Sequence, residues 1–434
     1  MSACAPAAVS LARRRAALVV AFFATGLGMA TWVSRTPAIR DALGASTAEM
    51  GVVIVGLSIG SVVGITLGGR LVARRGARLV IAWCMAAIVL GLLTVALGVV
   101  LRQAVIVATG LAVYGFAMGS GEIGLNVEAV DLEITVGRSV IPGLHGCYSL
   151  GIVAGGLMGL AANSAHLSVL VHMVAIATLT AAGSGWLVFQ LPARTGAETL
   201  TVNPRTATAD FAERFGWFDS RLLALGAIIL GMALAEGSAN DWLPLIAVDG
   251  FGASAATGAA VYAFFGLSMA IGRLSGGRVI DRFGRAPVMR VCAVTAASGI
   301  ALVAFAPQLW LGVVGVLLWG LGASLGFPIV LSAAGDVPAH AARRTSFVAT
   351  AGYAASLIGP PVLGFLGNQV GLRRAILVVL VAVLATIFFA GALGTRRPAA
   401  GPPTSVGADG TLLPRTETTM ATPDTEPDNM MTRR

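Results

Sequence analysis

A glycine- and arginine-rich loop occurs twice in this chain, each time between two long apolar runs. The first copy is Gly-Gly-Arg-Leu-Val-Ala-Arg-Arg-Gly at 68–76 and the second Gly-Gly-Arg-Val-Ile-Asp-Arg-Phe-Gly-Arg at 276–285. They stand 208 residues apart in a 434-residue chain, so the sequence reads as two related halves. Other pairs extend the duplication: at an offset of 205, Tyr114-Gly115 matches Trp319-Gly320, Asp131 matches Asp336 and Tyr148 matches Tyr353. At 210, Trp32 matches Trp242 and Gly56-Leu57-Ser58 matches Gly266-Leu267-Ser268.

The apolar runs have the length of membrane spans, on the order of 20 residues each. Twelve of them recur from 16–34 to 375–394, six in each half. Only 11% of residues are charged and mean hydropathy is +0.86, against about 25% charged residues in soluble domains. The expected fold is all-α and integral to the membrane, about 12 transmembrane helices in two pseudo-symmetric six-helix bundles over 1–190 and 221–394. A cytoplasmic linker is expected at 191–220, read either as a short amphipathic helix around Phe211, Phe215, Trp217 and Phe218 or as a solvated spacer. From 395 to 434 the Pro- and Thr-rich composition predicts a disordered cytoplasmic tail. The first apolar run is read as a retained helix, because no small-residue cleavage site follows it.

The net charge of +9 comes entirely from Arg, since the chain has no Lys. Its distribution argues against a nucleic-acid partner and for topology. Arg13, Arg14 and Arg15, then Arg70, Arg74, Arg75 and Arg78, then Arg194, Arg205 and Arg214 fall on alternate loops, as do Arg278, Arg282 and Arg285, Arg343 and Arg344, and Arg396 and Arg397. The positive-inside rule places these in the cytoplasm, with both termini, in a multi-pass protein of the cell (inner) membrane. Arg373 and Arg374 break the alternation. Cys4, Cys84, Cys147 and Cys292 lack metal-ligand spacing and are read as packing thiols.

The repeated loop resembles the signature of the major facilitator superfamily, Gly-x-x-x-Asp-Arg-x-Gly-Arg, complete in the second copy as Gly277, Asp281, Arg282, Gly284 and Arg285. The first copy keeps Gly69, Arg74 and Gly76 but has Ala73 in place of the Asp. The resemblance implies a gating role for Gly277, Asp281, Arg282, Gly284, Arg285 and Arg74, with Asp281 carrying the acidic latch alone. Gly-Ser-Gly-Glu-Ile-Gly-Leu-Asn at 119–126, His-Gly-Cys-Tyr-Ser-Leu-Gly from His145, and Glu-Gly-Ser-Ala-Asn-Asp-Trp from Glu236 resemble the fucose-permease-like branch and its bacterial relatives. In that branch an acid four residues before an Asn is tied to proton coupling, which implies that role for Glu122 ahead of Asn126.

The repeat also supplies a control, because a polar residue present in one half only is not demanded by the scaffold. Glu122 aligns with Phe327, Asn126 with Leu331, Glu236 with Gly26, Arg273 with Ile65 and His145 with Thr350. A charge at mid-membrane costs about 2.5–3.5 kcal/mol on insertion scales and persists where it faces a cavity or a partner. Glu122 and Asn126, one turn apart, share a helix face, so Glu122 is expected to carry the proton and Asn126 to bind substrate or water. Glu236 either binds substrate or pairs with Arg273. Trp32 and Trp242, near the far ends of the first and seventh spans, are read as interfacial anchors or as groups that stack on substrate. His145 is read as an interfacial hydrogen-bonding group. These features predict a monomeric secondary transporter moving a small, sugar-like or other metabolite solute by alternating access with protons, without enzymatic activity, cofactor or metal. Proton-antiport efflux, or a membrane sensor that binds solute without transporting it, are the alternatives.

Overall fold

In a bilayer an unpaired backbone polar group has no water to bond, so an apolar run must satisfy its own N–H and C=O groups. The described residues do this entirely with helices. The computed structural model describes residues 10–137, 140–197, 219–336 and 341–394. In the first half α1 is Leu11–Val33, α2 Thr36–Leu43, α3 Thr47–Arg75, α4 Ala77–Val100, α5 Ala104–Val136, α6 Ile141–Ser164 and α7 Val169–Leu187. In the second, α8 is Ser220–Phe251, α9 Ala255–Phe283, α10 Arg285–Phe305, α11 Leu309–Ala323, α12 Gly326–Ala334, α13 Ala341–Val370, α14 Leu372–Ala375 and α15 Leu377–Phe389. Counting α11 with α12 and α14 with α15, the described residues contain twelve helices long and apolar enough to cross a membrane.

Several helices outrun their apolar runs. α5 continues to Val136 and α9 to Phe283, because each added residue of a formed helix gains a backbone hydrogen bond at little cost. The short α2 has no counterpart among the expected elements: Pro37 starts it, Ile39 is buried, and Gly44 ends it with a φ of 63°. The expected linker helix around Phe211–Phe218 and the tail from Thr395 lie outside the described residues, as do Cys4, Arg138 and Arg205. α13 runs unbroken through Pro360 and Pro361, and α8 through Pro244.

The duplication reaches the turns. Gly44 and Gly252 both take left-handed φ angles, of 63° and 67°, and Gly76 and Gly284 take 79° and 80°. Ser46 and Ser254 then cap α3 and α9 by accepting from the third backbone N–H of each helix. Small residues bring α3 and α5 together: a Cβ added to Gly115 would lie 2.0 Å from the Leu57 carbonyl oxygen. Large apolar side chains such as Val52, Phe305 and Phe388 point outward, as a lipid-facing surface requires.

The two halves meet along α3 with α13 and α6 with α9. Arg40 of α2 pairs with Asp249 of α8, and Asn163 Nδ2 of α6 donates to the Ala255 carbonyl at 3.3 Å. These contacts lie on one face, named here the α2 face. Closer to mid-depth, Ser58 Oγ donates to the Ser356 carbonyl at 2.7 Å. On the opposite, terminal face the polar pairs between described residues stay within each half. Arg14 donates to Glu128 and Asp131, each at 2.6 Å, in the first half. Arg221 and Arg285 donate to Asp336, at 2.9 and 2.7 Å, in the second. Asp131 and Asp336 are repeat partners, so the halves hold their helices at this face with matching Arg–Asp pairs.

Candidate transport site

Glu122 lies two residues past the middle of α5, with Asn126 a turn later. Small residues surround it: Gly121 and Gly124 pack on Cys84 and on Ile81 and Val80 of α4, and Gly119 on Ser61 and Ile65 of α3. The backbone of α5 is thus fixed on two sides while Glu122 faces the third. Its side chain is exposed despite its depth. The charges that act on it belong to Glu236 and Arg273 of the other half, so it faces the gap between the halves and not the lipid.

Across that gap Arg273 of α9 donates from Nη2 to Oε1 of Glu236 on α8 at 2.7 Å. Of the two readings open for Glu236, pairing with Arg273 is the one realised in this conformation. Both side chains remain partly exposed, at 17% and 25%, which leaves donor and acceptor capacity unused. Position 26, where α1 carries the repeat partner of Glu236, has no room for any side chain: a Cβ there would come within 2.0 Å of the Tyr148 carbonyl oxygen. One scaffold position is therefore a close helix crossing in one half and a carboxylate in the other.

Three further groups complete the cluster. His145 Nε2 lies 3.2 Å from Asn126 Oδ1, with the ring edge-on to Phe22 at 5.1 Å between centroids. This places His145 in the site, with an amide partner, and not at the membrane surface; α6 starts only four residues earlier, but α5 extends well beyond Asn126 on the same face. Tyr148 of α6 lies within reach of the charges of Glu122, Glu236 and Arg273, and Tyr353 of α13 within reach of Glu122. The two tyrosines are repeat partners and on that ground read as scaffold. Their role in lining the site was hidden because the same residue type serves both halves.

Trp32 and Trp242 are completely buried, and neither indole N–H has a hydrogen-bond partner. In this conformation they are neither interfacial nor open to a ligand, because the closed α2 face encloses the helix segments that carry them. The loop residues are likewise apart from the cluster. Arg285 is engaged by Asp336 and by Ser332 Oγ at 2.9 Å, and Arg282 stacks on Phe283 at 5.3 Å. Gly277 and Gly284 border this loop. Among the described residues Asp281 and Arg74 make no ion pair or hydrogen bond, so no closed latch at Asp281 is present here. Burial alone would raise the Asp336 carboxyl, but its hydrogen bonds from Arg285 and Arg221 hold it below the usual carboxylate range.

The site is thus a mid-membrane cluster of one free carboxylate, one ion pair, an imidazole–amide pair and two phenols, contributed by both halves. Such a set has the chemistry to hydrogen-bond a polar group and carries an acid able to exchange a proton.

Residues 225–423 match the Major Facilitator Superfamily. An uncharacterized MFS-type transporter of Yersinia pestis is 32% identical over 366 residues, 82% of this chain and 89% of the relative. The nucleoside transporter NupG superposes with a TM-score of 0.73 at 14% identity, covering 88% of this chain and 100% of that one. The fucose:proton symporter FucP of E.coli does so with 0.59 at 15%, covering 88% and 98%. With its duplicated twelve-span fold, its loop signature and this sequence identity, the chain belongs to the Major Facilitator Superfamily and is a multi-pass membrane transporter.

Proposed function

We propose that the protein is a proton-coupled transporter of a small, polar, hydroxyl-bearing solute, working by alternating access between its two halves. The observation that carries this reading is Glu122, an exposed acid at mid-span whose charged neighbours, Glu236 and Arg273, sit in the opposite half. Movement of the halves changes the distance from Glu122 to that ion pair, and with it the cost of ionising the acid. Protonation of Glu122 is thereby tied to conformation, which is what coupling requires. Asn126, His145, Tyr148, Tyr353 and the unused capacity of Glu236 and Arg273 supply donors and acceptors for hydroxyls. The fold likeness to FucP and NupG, one a fucose:proton symporter and the other a nucleoside transporter by name, is consistent with a polar solute of this size.

The positive-inside rule applied to the Arg-rich loops supports a cytoplasmic terminal face in the cell membrane. On that assignment the closed α2 face is external and the present conformation releases solute inward.

The test is flux into proteoliposomes under an imposed pH gradient, with a library of monosaccharides and nucleosides, comparing wild type with Glu122→Gln. Gradient-driven accumulation that Glu122→Gln converts to gradient-independent exchange supports the reading. Undiminished gradient-driven accumulation in Glu122→Gln removes Glu122 from the coupling.

A further inference from the structure

Asp241 lies on α8 five residues beyond Glu236, about 7.5 Å of helix rise toward the α2 face. It is 7% exposed and, among the described residues, makes neither an ion pair nor a hydrogen bond. Its chain neighbour Trp242 is fully buried.

The cations on the helices packed against α8 are committed elsewhere. Arg40 on α2 is taken by Asp249, Arg273 on α9 by Glu236, and Arg344 on α13 by Asp219. Arg14 on α1 is taken by Glu128 and Asp131, and Arg373 on α14 by the carbonyls of Gly250, Val303, Ala304 and Ala306. Among the described side chains, the other charged groups stand at the ends of these helices: Arg13, Arg15, Arg278, Asp281 and Arg282 at the terminal face, Asp41 and Arg374 at the α2 face. α11, α12 and α15 carry no ionisable residue. The titratable group facing Asp241 is Tyr262 of α9, which feels its charge together with those of Glu236 and Tyr148, and whose hydroxyl donates to Asn240 Oδ1 at 3.0 Å. Tyr353 of α13 faces Glu122 instead.

An enclosed carboxylate with no cation and no donor is costly when ionised and cheap when protonated. Beyond it on the α2 face the halves meet, at Arg40–Asp249 on its own helix and at Asn163–Ala255, so that face is closed over the segment that carries it. Separation of the halves there would let water reach Asp241 and permit its ionisation. We propose that Asp241 is a second proton-binding site, on the C-terminal half, which must take up a proton from the α2 face before that face can close. The step is proton transfer from water to the carboxylate oxygen, forming one O–H bond, reversed on reopening. It rests on the alternating-access reading above but not on Glu122 as the coupling acid.

Linkage then requires the closed-to-open ratio of the α2 face to change up to tenfold per pH unit, rising as pH falls, wherever the open-state Asp241 is ionised. The ratio is read from the distance between spin labels at Ala42→Cys and Ala253→Cys, in a background lacking the native thiols. The expected result is that Glu122→Gln retains a tenfold-per-unit dependence, which Asp241→Asn added to it abolishes while holding the face closed at all pH values. A flat response in Glu122→Gln alone, or a dependence that survives in the double variant, overturns the proposal. Infrared spectroscopy gives a second readout at neutral pH: a protonated-carboxyl C=O band present in Glu122→Gln and lost when Asp241→Asn is added to it is expected, and a band that survives in the double variant overturns it. The liposome flux assay remains the separate test of coupling through Glu122.

Discussion

Arg273 and Glu236 form an ion pair between α9 and α8 that faces Glu122 of the other half across the gap. Removing the cation alone leaves two acids facing each other across the gap. Arg273→Ala is therefore expected to lower stability by about 1–3 kcal/mol, less than a fully buried pair because both partners keep contact with the gap. Arg273→Ala with Glu236→Gln should recover part of that loss. Thermal unfolding of the four members of the double-mutant cycle measures the coupling, and additive losses would show that the pair does not stabilise the closed conformation.

The His145–Asn126 contact predicts a modest, binding-selective defect. Its loss is expected to cost about 0.5–1.5 kcal/mol, or roughly a 2- to 12-fold rise in KM for Asn126→Ala, with the pH-gradient dependence retained. Initial rates over a substrate range separate KM from kcat. A fall in kcat with KM unchanged would assign Asn126 to a conformational step instead.

Arg40 and Asp249 close the α2 face from opposite halves, and both are partly open to solvent. Exposed pairs of this kind are worth about 0.2–1 kcal/mol. Asp249→Asn is thus expected to shift the closed-to-open ratio by about 1.4- to 5-fold toward open, and high salt should reproduce part of the shift in wild type. Distance measurements across the α2 face report it, and a closed population insensitive to both changes would remove the pair from gating.

At the terminal face Asp336 has its carboxyl held low by Arg285 and Arg221. A depressed carboxyl contributes stability above its unfolded pKa, about 3.9, and that contribution is lost as pH falls through the lower folded value. Wild type should therefore lose thermal stability below about pH 4 more steeply than Asp336→Asn does. Parallel acid profiles for the two proteins would show that the pair does not contribute.

Gly26 and Gly183 make a paired test of helix approach. A Cβ at Gly26 enters the Tyr148 carbonyl, whereas one at Gly183 meets only Val20 Cγ1, at an ordinary 3.6 Å. Gly26→Ala is expected to force α1 from α6 at a cost of about 1–3 kcal/mol, with Gly183→Ala near neutral. Melting temperatures and expression of the two variants decide it, and equal tolerance would mean that α1 and α6 separate without penalty.

Much of the site was legible in the duplication. Glu122, Asn126, Glu236, Arg273 and His145 each lack a polar counterpart in the other half, and all five gather at the gap between the halves. Tyr148 and Tyr353 escaped the same comparison because each half keeps the tyrosine. Trp32 and Trp242, paired in the same way, are enclosed packing groups in the closed α2 face and not membrane anchors.

Hydropathy, loop charge and the repeated glycines determined twelve spans in two related sets, because span length, backbone satisfaction and turn geometry are local demands written residue by residue. Which acid would find a partner was not local. The pairing of Glu236 with Arg273, the contact of Arg40 with Asp249, and the absence of a partner for Asp241 among the described residues depend on how far the halves have turned against each other. That depends on packing between residues hundreds of positions apart, and the tertiary structure alone decided it.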